Sequence, residues 1–278
     1  MDTCTDRLDA LLHHFPVRAR MFHSGALCGI TEFTEQGDGQ LHLVKAGALD
    51  AIHPGLPVLH VTEPSLLLYP RPLARQFITD TEHGADLACA HLHFEGGLAN
   101  PIAGALPDVV CLPLKEIDRA DHVLALLFEE AFGSNCGRRE VVDRLFEIVL
   151  IQILRHLMET ERIHSGLLAG MSHPKLRKAL TAMHEQPAKE WSLESLADIA
   201  GMSRSIFANT FRDTVGSTTG VYLQAWRVRL VQKALLQGQQ LKNIASEVGY
   251  GSEAALSRAF KAQSGLTPRE WKQTQPSA

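Results

Sequence analysis

Histidine is the residue type that could do most chemistry in the first half of this 278-residue chain, which has 14 histidines in all. Neutral imidazole nitrogens are common ligands of zinc, iron, copper and nickel. Five histidines lie on or beside predicted strands: His42, His53, His60, His91 and His93. Because residues two apart share a side of a strand, His91 and His93 lie on one face. The histidines therefore raise the question of a metal site.

Cysteine is the second reactive residue type. The five cysteines are Cys4, Cys28, Cys89, Cys111 and Cys136. They are odd in number, scattered along the chain and free of C-x-x-C spacing, so we expect neither a disulfide framework nor a zinc knuckle. A buried cysteine that packs as a small apolar residue is the common case. A reactive thiol is the alternative.

Two similar segments in the last third could bring polar side chains to a nucleic acid. They run from Trp191 to Arg212 and from Leu241 to Lys261, and they share L-x-x-I-A, a glycine, a serine and a final F-[RK]. Apolar residues at helical spacing predict a short helix, the glycine its end, and the serine the start of a second helix. The repeat therefore predicts two helix-turn-helix units.

The second helix of each unit is predicted to have one buried and one exposed face. The residues expected to pack inward are Ile206, Phe207 and Phe211 in the first unit and Leu256 and Phe260 in the second. The residues left on the outer face are Ser205, Ala208, Asn209 and Arg212 in the first unit and Glu253, Ala254, Ser257 and Arg258 in the second. Ser203 and Ser252 are expected to cap these helices with their hydroxyl oxygens.

Charge is distributed unevenly along the chain. Residues 173–278 contain 14 Lys and Arg against 8 Asp and Glu, a net of +6, whereas the rest of the chain has a net of −10. A basic segment in a chain of net charge −4 indicates a polyanionic partner for that segment. The alternative is a helical bundle whose exposed faces are merely polar.

The last hundred residues or so resemble the DNA-binding domain of the AraC/XylS family of transcription regulators. The resemblance is carried by the first unit, by Tyr222–Leu236, by the I-A-S-E-V-G-Y motif and by Ser257–Trp271. At Thr218-Thr219-Gly220 the chain lacks the proline that usually follows the threonine, as in Thr267-Pro268. This departure could loosen the start of the helix between the two units.

The resemblance implies sequence-specific binding to double-stranded DNA. The residues that would face bases are Arg204, Ser205, Ala208 and Asn209 in the first unit and Glu253, Ala254, Ser257 and Arg258 in the second. The residues that would hold phosphate, or form ion pairs within the domain, are Arg212, Lys242, Lys261, Arg227 and Arg229. Arg258 has the clearest base-reading chemistry, because a guanidinium can donate to both O6 and N7 of guanine.

The first half of the chain has the period of short strands. Alternating segments between Val17 and Pro113, separated by glycine-containing turns, predict an antiparallel sandwich or barrel. This stretch resembles the cupin-type sensory domain that precedes the DNA-binding domain in many such regulators. The resemblance is carried by Leu41–Gly47, Leu66–Pro72 and Asn100–Pro107.

Three helices are predicted within residues 1–165, at residues 5–15, 123–132 and 138–158. The third has more apolar surface than packing on one small barrel needs. In related regulators a helix pair here forms the dimer interface, so the resemblance implies a homodimer. Packing solely against its own barrel is the alternative.

The sequence thus predicts a two-domain α+β protein. Residues 1–165 would form a cupin-like antiparallel β-barrel with dimerisation helices, and residues 166–172 a linker. Residues 173–278 would form an all-α domain with two helix-turn-helix units joined by a long linker helix. His173-Pro174 would open that domain.

The cupin resemblance also bears on metal binding. Cupin enzymes hold a metal through neighbouring histidines, a carboxylate and a later histidine. Here Arg75-Gln76 stand where the later histidine is expected, and Glu95 follows His91-Leu92-His93 too soon. We therefore expect no metal and no cofactor. The alternative is a metal-dependent cupin enzyme with a regulatory tail.

The resemblance makes Cys28 and Cys89 candidate redox sensors. Family members with a similar front domain respond to reactive chlorine or other oxidants through a cysteine on an early strand. Cys28 occupies such a place, and Cys89 lies on a later strand where a partner thiol could sit. A small organic ligand in the mouth of the barrel is the other possible signal.

The chain has no run of eighteen apolar residues and no signal sequence at its start. We therefore expect a cytoplasmic, nucleoid-associated protein with no membrane partner. RNA polymerase would be a further partner if the protein is an activator.

Overall fold

The computed structural model describes residues 6–34, 37–97, 100–160 and 162–275. The chain divides into two compact units. The first, which we call the sheet unit, contains Val17–Leu98 and Leu106–Thr160. The second, the helical unit, contains Met1–Pro16, Ala99–Ala105 and Glu161–Ala278. The helical unit therefore takes in three segments of residues 1–165, the region expected to form the sensory domain.

The sheet unit contains the short strands that the alternating pattern predicts. They are β1 (Val17–Leu27), β2 (Ile30–Phe33), β3 (Gly39–Ala46), β4 (Leu49–Ile52), β5 (Leu59–Val61), β6 (Ser65–Tyr69), β7 (Arg75–Thr79), β8 (Ala85–Phe94) and β9 (Val110–Pro113). They pair antiparallel in a five-stranded sheet, in the order β1-β8-β3-β6-β9, and a four-stranded sheet, in the order β2-β7-β4-β5. The described strands thus form two sheets and not one continuous barrel.

A hydrophobic core joins side chains from both sheets. The five-stranded sheet contributes Val44, Leu67, Tyr69, Ala85, Leu87 and Cys89, and the four-stranded sheet contributes Leu49, Ala51, Val61 and Phe77. These residues recur at every second position of their strands, which is the spacing that places them on one face. The core therefore fixes the register of each strand, since a slip of one residue would expose it.

Two helices complete the sheet unit: α3 (Asp121–Phe132) and α4 (Arg138–Glu159), which pack on each other and on β1. The carboxylate of Asp143 accepts a hydrogen bond from the backbone N–H of Met21 at 2.6 Å, and Glu147 accepts one from Ala19 at 3.2 Å. β1 is an edge strand, whose outer N–H groups lack strand partners. The two carboxylates satisfy part of that edge.

Most of the apolar surface of α4 is used inside the sheet unit. Leu150 and Leu154 are buried there, although the sequence predicts more apolar surface on this helix than packing on its own sheets needs. Val141 and Ile148 are each 40% exposed and lie two turns apart on the outer side. The exposed apolar part of α4 is therefore narrower than the sequence had suggested.

The helical unit contains ten helices in its described residues. They are α1 (Asp9–His14), α2 (Pro101–Ala105), α5 (Leu167–Ser172), α6 (Leu176–Glu185), α7 (Leu193–Ala200), α8 (Arg204–Val215), α9 (Thr219–Leu236), α10 (Leu241–Glu247), α11 (Glu253–Ser264) and α12 (Pro268–Thr274). Helix α5 occupies the expected linker, and its residues Leu167 to Met171 are buried. None of the helices in the described part of the chain is long and apolar enough to cross a lipid bilayer.

The first helix of the chain packs in the helical unit. The ring of Phe15 lies 5.1 Å from that of Trp226, edge to face, and Lys233 Nζ donates to the backbone oxygen of His14 at 2.5 Å. On its other side Trp226 stacks on His184 with ring centres 4.0 Å apart. Trp226 is fully buried, so it is a central core residue of this unit.

Candidate nucleic-acid interface

The first helix-turn-helix unit consists of α7 and α8. Ser192 begins α7 with a capping box, in which its hydroxyl accepts from the N–H of Ser195 at 3.0 Å. Gly201 ends the helix in the left-handed conformation, with φ 62°, as predicted. The predicted side-chain cap at Ser203 is wrong. Ser203 is the N-cap residue of α8, but its backbone oxygen and not its hydroxyl makes the contact, accepting from Phe207 N at 2.9 Å.

The second unit consists of α10 and α11. Its turn contains Gly249, with φ 82°, and a Cβ there would lie 2.4 Å from the backbone oxygen of Ala188. Only glycine fits this close approach of two backbones. Ser252 caps α11 as predicted, because its hydroxyl accepts from Ala255 N at 3.2 Å.

Helix α9 lies between the two helix-turn-helix units and contacts α8, α10, α11 and α12. Its start is capped by Thr218, whose hydroxyl accepts from Val221 N at 3.4 Å. The missing proline therefore does not prevent the helix from starting with a cap. Eighteen residues at 1.5 Å per residue give α9 a length of about 27 Å.

The outer face of α8 has both polar and apolar residues. Phe207 and Phe211 are fully buried, but Ile206 is 58% exposed, so its predicted inward position is wrong. Phe207 and Phe211 are one turn apart and define the buried line, and Ile206 lies about 100° round the helix from Phe207. The polar residues predicted to face bases are all at the surface: Arg204, Ser205, Asn209 and Arg212 are exposed and Ala208 is half-buried.

Two of these residues contact each other. Arg212 Nη2 donates to the amide oxygen of Asn209 at 3.4 Å, and Arg212 also lies 3.7 Å from the carboxylate of Asp213. Asn209 must use its amide oxygen to read adenine. The weak bond to Arg212 would therefore have to open on binding.

The outer face of α11 is also exposed. Leu256 and Phe260 are fully buried, as predicted, and Phe260 packs against Trp271 of α12. Glu253, Ala254, Arg258 and Lys261 are exposed and Ser257 is half-buried. Within the described part of the chain, Arg258 has neither a hydrogen bond nor an ion pair. Its guanidinium is free to bind an external group.

The arginines of α9 have structural contacts. Arg227 Nε donates to Pro187 O at 2.7 Å and its Nη2 to Lys189 O at 3.0 Å. Burial lowers the pKa of Arg229 from its ordinary value. Of the two roles predicted for Arg227, contact with phosphate or bonding within the domain, its hydrogen bonds favour the second. Lys242 on α10 is exposed.

The five candidate histidines of the sheet unit lie on or beside several strands. Among the described residues, no group of three or more His, Cys, Asp or Glu side chains is arranged to hold a metal ion. His60 lies 2.7 Å from a carboxylate oxygen of Asp50, and His93 lies 3.1 Å from one of Asp38.

The sheet unit has a buried polar cluster that the sequence analysis missed. Arg75 of β7 is only 3% exposed, and its Nη2 lies 2.7 Å from His42 Nε2 and also contacts Gln40 Oε1. Burial, together with the Arg75 cation, lowers the pKa of His42 well below its ordinary value, so His42 is neutral at pH 7. The signal was present in β7. Phe77 is a core residue, and the period of two puts Arg75 on the same face.

The two candidate thiols are in different surroundings. Cys28 is exposed just after β1, whereas Cys89 is buried within β8, where burial raises the pKa of its thiol. The register pairs Leu27 with Ala85 and His23 with Cys89, so the thiols are at least four residues apart along the sheet. That is about 13 Å at 3.3 Å per residue. The structure does not bring the two thiols together.

Comparison with known proteins gives two matches, one in each half of the chain. Residues 6–159 match a cupin family, described as Cupin, and residues 196–274 match a family described as Helix-turn-helix domain. The chain belongs to the Cupin family, whose model matches more than half of its residues, and its C-terminal part matches the helix-turn-helix domain of AraC-type regulators.

Three curated relatives are similar to the chain. A putative AraC-like transcription regulator of Streptomyces lividans is 42% identical over 60% of this chain and 56% of its own length. The transcriptional regulator AlkR of Acinetobacter baylyi is 35% identical over 70% and 65%. The RCS-specific transcriptional activator RclR of Escherichia coli is 25% identical over 84% and 83%. The alignments thus span less than two thirds of the first two relatives.

Proposed function

We propose that this protein is an AraC-type transcription regulator that binds specific double-stranded DNA and is controlled by a signal received in the sheet unit. The observation that carries the proposal is the pair of exposed helix faces on α8 and α11, on either side of α9. The length of α9, about 27 Å, is comparable to the 34 Å repeat of B-DNA. Helices α8 and α11, which both contact α9, can therefore enter successive turns of the major groove. The relatives named as transcription regulators support this role.

Each exposed residue has a role in this proposal. Arg258 would donate to O6 and N7 of guanine, and Asn209 would pair with adenine. Ile206 would contact the methyl group of thymine, because its side chain is apolar and exposed. Arg212 and Lys261 would contact phosphate, which fixes orientation but not sequence.

Selection of bound duplexes from a random DNA library would test the proposal. We expect enrichment of a motif with two parts whose centres are about 10 base pairs apart. A variant with both Arg204→Ala and Arg258→Ala should enrich no motif. Lys178→Ala, which removes an exposed charge of α6 outside both helix-turn-helix units, should leave the motif unchanged. Absence of any enriched motif with the unaltered protein would overturn the proposal.

We further propose that the protein is a homodimer, with the outer side of α4 at the interface. Val141 and Ile148 are the exposed apolar side chains of that helix. Ile148→Glu should therefore give a monomer in size-exclusion chromatography with light scattering, because it places a charge in an apolar contact. Arg139→Glu, at an exposed position two residues before Val141 and about 200° round the helix from it, is the control. A dimer that persists in Ile148→Glu would place the interface elsewhere.

As an activator, the protein would also contact RNA polymerase, in the cytoplasm at the nucleoid.

The signal in this proposal is an oxidant or a small effector. Cys28 is exposed, as a sensor thiol must be, and the similar protein RclR is named as an RCS-specific activator. If Cys28 is the sensor, mild hypochlorite should change the gel shift of the unaltered protein but not that of Cys28→Ser. Cys136→Ser removes another exposed thiol and should still respond. An unchanged response in Cys28→Ser would exclude this thiol as the sensor.

A further inference from the structure

The side chain of Arg75 lies between the two sheets of the sheet unit. It starts on β7 of the four-stranded sheet and reaches Gln40 and His42 on β3 of the five-stranded sheet. Its guanidinium carbon lies 3.8 Å from the ring centre of Tyr69 and 4.3 Å from that of Phe33. The aromatic rings therefore hold the faces of the guanidinium and leave its edges for hydrogen bonds.

The charge of Arg75 has no counter-charge in the described part of the sheet unit. Its acceptors are the backbone oxygen of Leu73 at 3.0 Å, the amide of Gln40 and the imidazole of His42. All three are neutral, and none of the described carboxylates forms an ion pair with it. Burial lowers the pKa of Arg75 to about 10, so the guanidinium is still a cation at pH 7. A buried cation without an anion is costly and is normally paired.

The cluster also has unused hydrogen-bonding capacity. Arg75 Nε, His42 Nδ1 and His53 Nδ1 are buried and have no hydrogen-bond partner within the described residues. Nε lies on the same edge of the guanidinium as Nη2. That edge is the fork that binds both oxygens of a carboxylate. A carboxylate there would accept a hydrogen bond from Nε, which has no partner, and one from Nη2 in place of the bond to the amide of Gln40.

One side of the cluster is close to solvent. Phe22 of β1 is 41% exposed, and its ring lies 4.3 Å from that of His91 and 6.0 Å from that of His42. Phe33 and Gln40 are half-buried. The more exposed members of the cluster thus include two phenyl rings and an amide, and a flat apolar group can replace a phenyl ring with little loss of contact.

We propose that the Arg75 cluster is a binding site for a small organic carboxylate with a flat apolar body. The carboxylate binds the Nε and Nη2 edge of Arg75, and the apolar body lies between Phe22 and Phe33. As the site of an effector, it rests on the proposed function and gives the signal a chemical class.

The first test uses 4-fluorobenzoate as the probe and ¹⁹F NMR of the full chain without DNA. We expect its signal to broaden and shift on binding, and the neutral 4-fluorobenzamide to bind at least about tenfold more weakly, because it lacks the charge that Arg75 needs. Equal binding of the two probes, or binding of neither, would overturn the proposal.

Two variants place the probe at Arg75. Arg75→Gln removes the cation and should abolish 4-fluorobenzoate binding. Gln40→Glu keeps Arg75 but gives it a carboxylate within the chain, so it should both block the probe and raise the melting temperature of the sheet unit. Because Gln40→Glu is expected to stabilise, a folding failure of Arg75→Gln does not leave the proposal untested. Unchanged probe binding in Gln40→Glu would overturn it.

The effector role is measured separately on DNA. Benzoate should change the affinity of the unaltered protein for its selected duplex and should not change that of Gln40→Glu. If benzoate binds without changing the DNA affinity, the effector role is wrong while DNA binding stands. If no duplex is selected at all, the proposed function fails while the carboxylate site is still decided by the probe.

Discussion

Arg258 is the residue for which exposure and chemistry agree most clearly. It is exposed on α11 and unpaired within the described residues, and its fork fits guanine. Arg258→Ala should weaken binding to the selected duplex by about 1–3 kcal/mol and relax the preference at one base pair. Fluorescence anisotropy with a series of single-base duplexes would measure both effects.

Lys261 of the same helix provides the contrast. If it contacts phosphate, Lys261→Ala should weaken all duplexes alike and reduce the slope of log affinity against log salt by about 1. A uniform loss with Arg258→Ala, without a change in base preference, would contradict its base-reading role.

Single residues were predicted well where one rule acts alone. Phe207, Phe211, Leu256 and Phe260 are buried because apolar spacing decides their positions. Ile206 is predicted inward from its hydrophobicity, but it lies about 100° round the helix from Phe207, outside the line that Phe207 and Phe211 define. Its exposure follows from that geometry and not from its hydrophobicity.

The close approach at Gly249 is the most sensitive feature of the second unit. Gly249→Ala should destabilise the helical unit by about 1–3 kcal/mol from the left-handed backbone alone, because its φ is 82°. The new Cβ would also meet Ala188 O. Urea denaturation followed by tryptophan fluorescence measures this unit, since all three tryptophans lie in its segments.

Gly251→Ala is the matched control, two residues further along the same turn. A Cβ there meets nothing within 4 Å. Its stability should therefore be unchanged or slightly raised, because alanine restricts the unfolded chain. Equal stability of the two variants would show that the backbone at Gly249 can relax.

Secondary structure followed from sequence wherever the apolar period was regular. Strands β1, β3, β5, β6, β7 and β8 and helices α3 and α4 lie close to where the sequence predicts them, whereas β2 and β4 are not predicted separately. Helix α5 was expected as a linker because its small residues, G-L-L-A-G-M-S, give a weak pattern. Gly170 explains part of this, since a Cβ there would lie 2.7 Å from Leu180, so a small residue is needed for packing.

The site inside the sheet unit could not have been assembled from sequence. In the sequence, Arg75 only marks the position where a metal-binding histidine is expected. Its partners Gln40, His42 and Tyr69 belong to β3 and β6, and strand order in a sheet is set by long-range pairing. Local patterns fix the face of each residue but not its neighbours across the two sheets.

At the scale of the whole chain, the division into units differs from the order of the sequence. Residues 6–16 lie within the stretch that matches the cupin family, but their contacts place them in the helical unit. The apolar side of α1 predicts burial but not the partner. That partner is the core around Trp226, to which Phe15 contributes.

The same core makes the stability of the helical unit depend on pH. Burial, with the charges of His14 and Arg229, lowers the pKa of His184 to about 3. The unfolded chain binds a proton at this histidine near pH 6.5, whereas the folded chain does not until about pH 3. The stabilisation is therefore present above pH 6.5 and is lost as the pH falls, by about 1.4 kcal/mol per pH unit.

His184→Phe should remove this dependence and keep the stacking on Trp226. The variant leaves the hydroxyl of Tyr222 without the bond it makes to His184 Nε2 at 2.6 Å, so its stability at pH 8 should be lower than that of the unaltered protein. The informative quantity is the difference in slope between the two proteins, because every other residue is the same in both. Urea midpoints by tryptophan fluorescence between pH 4 and pH 8 should converge as the pH falls. Parallel curves would mean that His184 takes up its proton in the folded protein as readily as in the unfolded chain.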